Sequence, residues 1–187
     1  MKDAVLKSIK TNICGIFAFS ILLFMVVLEC FMPERTIGKA TVAESDSAPE
    51  ELPVITGEYQ VSFPYEEESI YFGNGWHSQS DGENYRWIRK QSYFYASLSD
   101  QSTIRLSGYV PAGIGAKRVV LYLNGKKIAK VKLKGEQLIT IEGSLDRYLI
   151  KDGVNTFKIE FDKERIPKEG DADQRAFSAM INLIEFE

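Results

Sequence analysis

Residues 117–134, KRVVLYLNGKKIAKVKLK, decide the fold of this chain. Apolar and polar residues alternate on both sides of Asn124-Gly125, a dipeptide that strongly favours a two-residue β-hairpin turn. After the turn, apolar side chains alternate with lysines and would point to opposite sides of a sheet. The apolar set is Ala129, Val131 and Leu133, and the basic set is Lys130, Lys132 and Lys134. One face of this hairpin therefore packs on a core, and the other meets water.

The same kind of segment recurs on both sides of the hairpin, separated by turn residues. The predicted strands are residues 57–63, 69–72, 85–90, 92–98, 103–110, 117–123, 127–134, 137–142, 155–161 and 176–186. Residues 144–151 have the spacing of one or two helical turns instead. Many short strands at regular spacing, with hardly any helix, predict an all-β fold, an antiparallel sandwich or barrel.

Towards the N-terminus the composition changes completely. Residues 11–28 carry no charge, and the apolar stretch continues to residue 32 before Pro33. As a helix, residues 11–32 would span about 33 Å, enough to cross a hydrocarbon core of about 30 Å. Lysines 2, 7 and 10 precede this stretch, which favours a cytoplasmic N-terminus. Residues 1–32 are therefore predicted to be a cytoplasmic stub and a single-pass anchor in the cytoplasmic (inner) membrane, with the C-terminal domain periplasmic or extracellular.

Two other interpretations of this stretch are a cleaved signal peptide and a lipidated Cys30. The residues around Cys30 contain no A-x-A cleavage pattern, and Glu29 occupies the position where a lipoprotein signal has a small residue, so an uncleaved anchor is favoured. Residues 33–53 are polar and acidic with three prolines, and they are predicted to form a flexible linker. Residues 54–187 then form one extracytoplasmic domain.

The composition of the exported part excludes several kinds of protein. Residues 53–187 carry 18 Lys and Arg against 19 Asp and Glu, whereas a nucleic-acid-binding domain is usually strongly basic. The two cysteines, Cys14 and Cys30, lie in or beside the apolar stretch, so the domain is predicted to have no disulfide. With His77 as the single histidine, the ligands of a transition-metal site are missing. We expect no cofactor.

Four short motifs carry a family resemblance. They are YFGNGW at 71–76, YRWI at 85–88, VLYLNG at 120–125 and GVNTFKI at 153–159. This order resembles the jelly-roll-like β-sandwich domain, with an FGxGW…RW signature, at the extracytoplasmic end of prokaryotic membrane glycosyltransferases and polysaccharide-assembly proteins. The resemblance covers residues 58–187. It implies a jelly-roll-like sandwich and a non-catalytic accessory role with possible glycan contact.

Aromatic residues near these motifs are the candidate ligand-binding residues. An indole face can stack on the apolar face of a sugar ring, which makes Trp76 and Trp87 candidate platforms. Arg86 could hydrogen-bond a hydroxyl or carboxylate of a glycan, and Tyr93 and Tyr95 complete the set. The alternative is structural: Trp87, in mid-strand, is expected in the core, and Arg86 on a solvated face beside an acid.

These observations favour a membrane-anchored, non-catalytic β-sandwich that binds glycan or docks on a membrane glycosyltransferase or exporter. The alternative is an interaction subunit that braces a membrane complex and touches no sugar. Glycan binding requires exposed aromatics with polar neighbours, whereas bracing requires a contiguous exposed apolar patch. The acidic residues at 66–68 and at 171 and 173 are expected to be solvated loops.

Overall fold

The computed structural model describes residues 47–63, 69–80 and 82–187. This part of the chain forms eleven β-strands and no helix. The strands are β1 (Val54–Ile55), β2 (Tyr59–Ser62), β3 (Ile70–Phe72), β4 (Arg86–Ile88), β5 (Gln91–Leu98), β6 (Thr103–Val110), β7 (Arg118–Leu123), β8 (Lys126–Lys132), β9 (Gln137–Ser144), β10 (Val154–Phe161) and β11 (Ala179–Phe186). The predicted all-β class is confirmed.

The strands belong to two sheets. The first has six strands in the order β1-β5-β10-β7-β8, and β3 also pairs with β5. The second has five strands in the order β2-β11-β6-β9, and β4 also pairs with β11. Strands β6 and β10 have strictly alternating burial, as expected when each sheet has one face on the core and one towards solvent. In β5, residues 94–98 are all buried.

The core lies between the two sheets and is rich in phenylalanine. Phe94 and Phe157 of the first sheet stack with ring centroids 4.7 Å apart. Phe157 also contacts Phe186 of the second sheet edge-on at 5.7 Å. All three side chains are at most 1 % exposed. These ring contacts join the sheets face to face, which makes the fold a β-sandwich.

The hairpin of β7 and β8 has the predicted Asn-Gly turn. Asn124 and Gly125 both have positive φ, 48° and 80°, as a type I′ turn requires. The Asn124 amide also donates to the side chain of Asn155 at 2.8 Å. The motifs that contain these two asparagines are therefore held together by their side chains. Leu133 is buried and the lysines of β8 are exposed, as predicted.

Three features differ from the sequence-based expectation. Strand β1 was not predicted, because two residues are too few to show an alternation. It pairs with β5 in parallel, so the sandwich is not purely antiparallel. Residues 144–151, for which helical turns were predicted, form no helix. Ser144 is the last residue of β9, because Gly143 and Ser144 still pair with β6, and the following residues form a turn.

The predicted anchor at 11–32 and most of the predicted linker at 33–53 lie outside the described residues. The remaining linker residues, 47–53, contain no strand. Within the part of the chain that is described, no helix has the length and apolar character needed to cross a bilayer.

Candidate ligand-binding face

The outer face of the first sheet carries a row of tyrosines and lysines. Strand register places Lys158 of β10 directly between Tyr93 of β5 and Tyr122 of β7. Lys127 of β8 is opposite Tyr122 and completes the row. Lys127 is exposed, and the other three side chains are partly exposed. The row therefore crosses four adjacent strands on the solvent side of the sheet.

Lys158 lies in contact with both an aromatic ring and a carboxylate. Its ammonium nitrogen is 4.2 Å from the centroid of the Tyr122 ring and 2.6 Å from a carboxylate oxygen of Glu160. The hydrogen bond to Glu160 raises the pKa of Lys158 above its usual value, so the ammonium stays charged at neutral pH. Gln91 donates to the same carboxylate. Ring faces, donors and an acceptor therefore lie side by side, a combination that suits a polyhydroxylated ligand.

Tyr95 lies next to this row on the same face, opposite Tyr71 of β3. The two rings are 5.9 Å apart and tilted by 44°. Tyr71 is partly exposed, whereas Tyr95 is only 6 % exposed. Of the two tyrosines predicted as candidates, Tyr93 is thus partly exposed, whereas Tyr95 is buried and packs against Tyr71.

Trp76 and Arg86 lie in the core instead of at the surface. Trp76 is 6 % exposed and packs against Phe72, with ring centroids 4.6 Å apart. Arg86 is 7 % exposed; its guanidinium carbon is 4.7 Å from the centroid of the Phe72 ring, and its Nε donates to the backbone oxygen of His77 at 3.1 Å. The expectation of a solvated Arg86 is wrong, because Arg86 shares a strand face with the fully buried Ile88.

Burial also changes the ionisation of Arg86. Desolvation lowers its pKa to about 10. The side chain is still a cation at neutral pH, and no carboxylate in the described residues forms an ion pair with it. Contact with the electron-rich faces of Phe72 and Trp76 compensates part of the lost hydration.

The two glycines of the FGNGW motif hold this corner against β5. A Cβ atom on Gly75 would lie 2.0 Å from the backbone oxygen of Gln91, and one on Gly73 would lie 2.7 Å from the ring of Tyr95. Gly75 also has a φ of 89°, which favours glycine. The motif thus builds a tightly packed corner of the sandwich, with Phe72 and Trp76 directed into the core.

Trp87 lies on the outer face of the second sheet, partly covered by the loop after β10. Its ring is 4.3 Å from that of Phe177, and the guanidinium carbon of Arg175 is 5.5 Å from its centroid. Asp173 holds this guanidinium through two hydrogen bonds of 3.0 Å. Trp87 was expected in the core between the sheets. It is partly buried, but it lies under this loop on the outer face. Phe177 and Arg175 thus cover part of the Trp87 ring.

Trp87 is the first residue of an apolar strip that crosses the second sheet. Register places Met180 of β11 opposite Trp87 and opposite Tyr109 of β6. Leu138 of β9 follows opposite Tyr109 and is 83 % exposed. This strip is the kind of feature that an interaction subunit would present.

A cleft of about 480 Å³ lies at the end of the sandwich where β5 passes into β6. Two carboxylates line it, Asp100 and Asp146. Hydrogen bonds from the Ser99 hydroxyl and the backbone N–H of Gly57 lower the pKa of Asp100. A general acid for glycoside cleavage needs the opposite shift, so this carboxyl is poorly suited to that role.

Sequence reasoning missed Tyr122 and Lys158. Both lie on predicted strands, and alternation alone places them on outer faces. Alternation cannot predict that these two residues lie beside Tyr93, because β5, β10 and β7 pair although they are far apart in the sequence.

No protein-family model and no curated protein matches this chain. Among solved structures, the chain is similar to the CBM36-1 domain of a multidomain xylanase from the hindgut metagenome of Trinervitermes trinervoides, with a TM-score of 0.42 and 13 % identity over 70 % of this chain and 97 % of that one. For a family 35 carbohydrate-binding module from an environmental isolate, the TM-score is 0.39 and the identity 13 %, over 69 % of this chain and 92 % of that one. For CBM35 from Paenibacillus barcinonensis, the TM-score is 0.36 and the identity 12 %, over 71 % of this chain and 98 % of that one. At such scores the likeness is coarse and says nothing about a ligand.

Proposed function

We propose that residues 54–187 form a non-catalytic glycan-binding module that residues 11–32 anchor in the cytoplasmic membrane. The module would serve surface-polysaccharide assembly, either by holding the glycan or by docking on a membrane glycosyltransferase or exporter. The resemblance of the FGNGW and YRWI motifs to domains of polysaccharide-assembly proteins supports this setting. Protease added to spheroplasts should digest the C-terminal domain, and a protected domain would exclude the topology.

One observation carries the glycan-binding proposal: Tyr93, Lys158 and Tyr122 form a continuous row on the outer face of the first sheet. Adjacent strands are about 4.8 Å apart, so the two tyrosines are separated by about 10 Å. That spacing suits two sugar rings of a polysaccharide with one sugar unit between them, above Lys158. Tyrosine provides apolar contact area together with a hydroxyl that can donate and accept hydrogen bonds.

The experiment compares glycan binding by the full-length chain in detergent micelles and by two variants. Wild type is first screened on an array of polysaccharides. We expect Tyr93→Ala/Tyr122→Ala to lose about tenfold or more in affinity, because each lost ring contact contributes about 0.5–1.5 kcal/mol. Tyr148→Ala is the matched control, since Tyr148 is 82 % exposed but lies outside the row.

Two results would contradict the glycan-binding proposal. One is a wild-type protein that binds none of the polysaccharides. The other is a double variant that binds as tightly as the Tyr148→Ala control. Either result would favour the alternative.

The apolar strip on the second sheet favours that alternative, an interaction subunit that braces a membrane complex without touching glycan. In that case Leu138→Glu should shift the chain to a smaller species on native electrophoresis of solubilised membranes, because a charge would be buried in the contact. The glycan-binding proposal expects this variant to bind polysaccharide like wild type.

A further inference from the structure

The tyrosine row lies within a larger basic surface. Beside Lys158 and Lys127, strand register puts Lys130 opposite Val120 and Lys132 opposite Arg118, all on the outer face of the first sheet. Among the described residues, strand register places the cations Arg118, Lys127, Lys130, Lys132 and Lys158 on this face, with the carboxylates of Glu160 and Asp162 on it or at its margin. The face is thus clearly positive, although the whole chain has a net charge of −3.

The carboxylates beside this surface are already engaged. Glu160 pairs with Lys158 at 2.6 Å. Asp162 accepts from the backbone N–H groups of Lys117 and Arg118 at 2.9 and 3.3 Å. Across the described residues, no ion pair reaches Arg118 or the lysines of β8 at 127, 130 and 132.

This arrangement is unfavourable in the isolated protein. Lys132 and Arg118 are directly opposite each other, and like charges in that position destabilise a strand pair. Lysines on an edge strand such as β8 can serve to prevent aggregation. That role does not account for Arg118 and Lys158, which lie on the inner strands β7 and β10. The positive charge extends over the part of the sheet that carries the tyrosines.

We infer that the ligand of this face is an anionic polysaccharide, with a carboxylate on its sugar units. This inference rests on the proposed glycan-binding function and specifies its substrate class. Tyr93 and Tyr122 provide the ring contacts, and the ammonium groups of β8 pair with the carboxylates of the ligand. Lys127 extends the tyrosine row onto β8, and Lys130 and Lys132 follow along that strand, so the acidic units that continue past Tyr122 can meet these cations.

The test measures binding of the full-length chain, held in neutral phosphatidylcholine nanodiscs, to polygalacturonate and to its carboxyl-reduced form. The reduced polymer keeps the sugar backbone and loses the charge. Wild type should bind polygalacturonate about tenfold or more tightly than the reduced form, and the difference should shrink at high salt. Lys127→Gln/Lys130→Gln/Lys132→Gln should remove most of that preference.

A second triple variant controls for net charge. Arg147→Gln/Lys151→Gln/Lys168→Gln removes the same charge from exposed positions outside the first sheet and should keep the preference. Vesicles of phosphatidylglycerol test the same cations against lipid phosphate, and we expect them to compete weakly.

Each contrary result has a separate meaning. Equal binding of both polymers, or equal loss in both triple variants, overturns the inference and leaves glycan binding in place. Tight binding of the vesicles without any preference between the polymers replaces the polysaccharide with a membrane surface. Failure to bind polygalacturonate, its reduced form and every polysaccharide on the array overturns the proposed function as well.

Discussion

Arg86 shows how a single position can be misread from the sequence. An arginine beside a tryptophan in a short strand suggests a binding residue at the surface. The alternation of β4 instead makes Arg86 share a face with Ile88, and its guanidinium stacks on Phe72 inside the sandwich. Retaining a buried cation costs free energy that hydrogen bonds and ring contacts must offset. Arg86 is therefore a structural residue, and its charge can be tested separately from its volume.

Arg86→Met should remove the charge and keep most of the volume. Exchanging a buried ion for an apolar side chain of similar size is often neutral or stabilising, so the free energy of unfolding should fall by less than about 1 kcal/mol, or rise. Arg86→Ala leaves a cavity beside Phe72 and Trp76 and should lose about 2–4 kcal/mol. Urea unfolding followed by tryptophan fluorescence measures both. Equal losses of that size in both variants would show that the charge itself is required.

The strands themselves follow closely from local sequence. Alternation and turn residues identified ten of the eleven strands to within a few residues, because both signals act over short distances. The pairing of those strands could not be read in the same way. Strands β5, β10 and β7 are neighbours through contacts between residues far apart in the chain. The candidate face depends on that pairing, so the sequence indicated Tyr93 and Tyr95 but not Tyr122 or Lys158.

The corner made by the FGNGW motif gives a prediction about an element. Gly75→Ala would place a methyl group against the backbone of β5, which cannot move away without breaking its pairing. Gly113 has a similar φ of 82° but no atom within 4 Å of an added Cβ, so Gly113→Ala is the matched control. We expect Gly113→Ala to lose about 1–3 kcal/mol from φ strain and Gly75→Ala to lose at least about 2 kcal/mol more.

Chemical denaturation of the two variants under the same conditions checks this prediction. Equal losses would mean that φ strain alone explains the glycine at position 75. The packing of the motif against β5 would then contribute little to stability.

At the scale of the whole molecule, the two sheets present different surfaces. The first sheet carries partly exposed tyrosines and lysines that form no ion pair within the described residues, and the second carries an apolar strip from the partly covered Trp87 to the exposed Leu138. The sequence suggested glycan binding and interaction as competing functions, and the two proposals rest on different faces. Nothing in the geometry forces the two to exclude each other. A module of this kind could hold a polysaccharide on one sheet and a protein partner on the other.

Hydroxyl-radical footprinting of the full-length chain, with and without a bound polysaccharide, tests the central claim most directly because it reads side-chain exposure residue by residue. The account predicts that the ligand protects Tyr93 and Tyr122 from oxidation and leaves Leu138, Tyr109 and Tyr148 unchanged. Protection of Leu138 and Tyr109, with Tyr93 and Tyr122 still oxidised at the original rate, would contradict it.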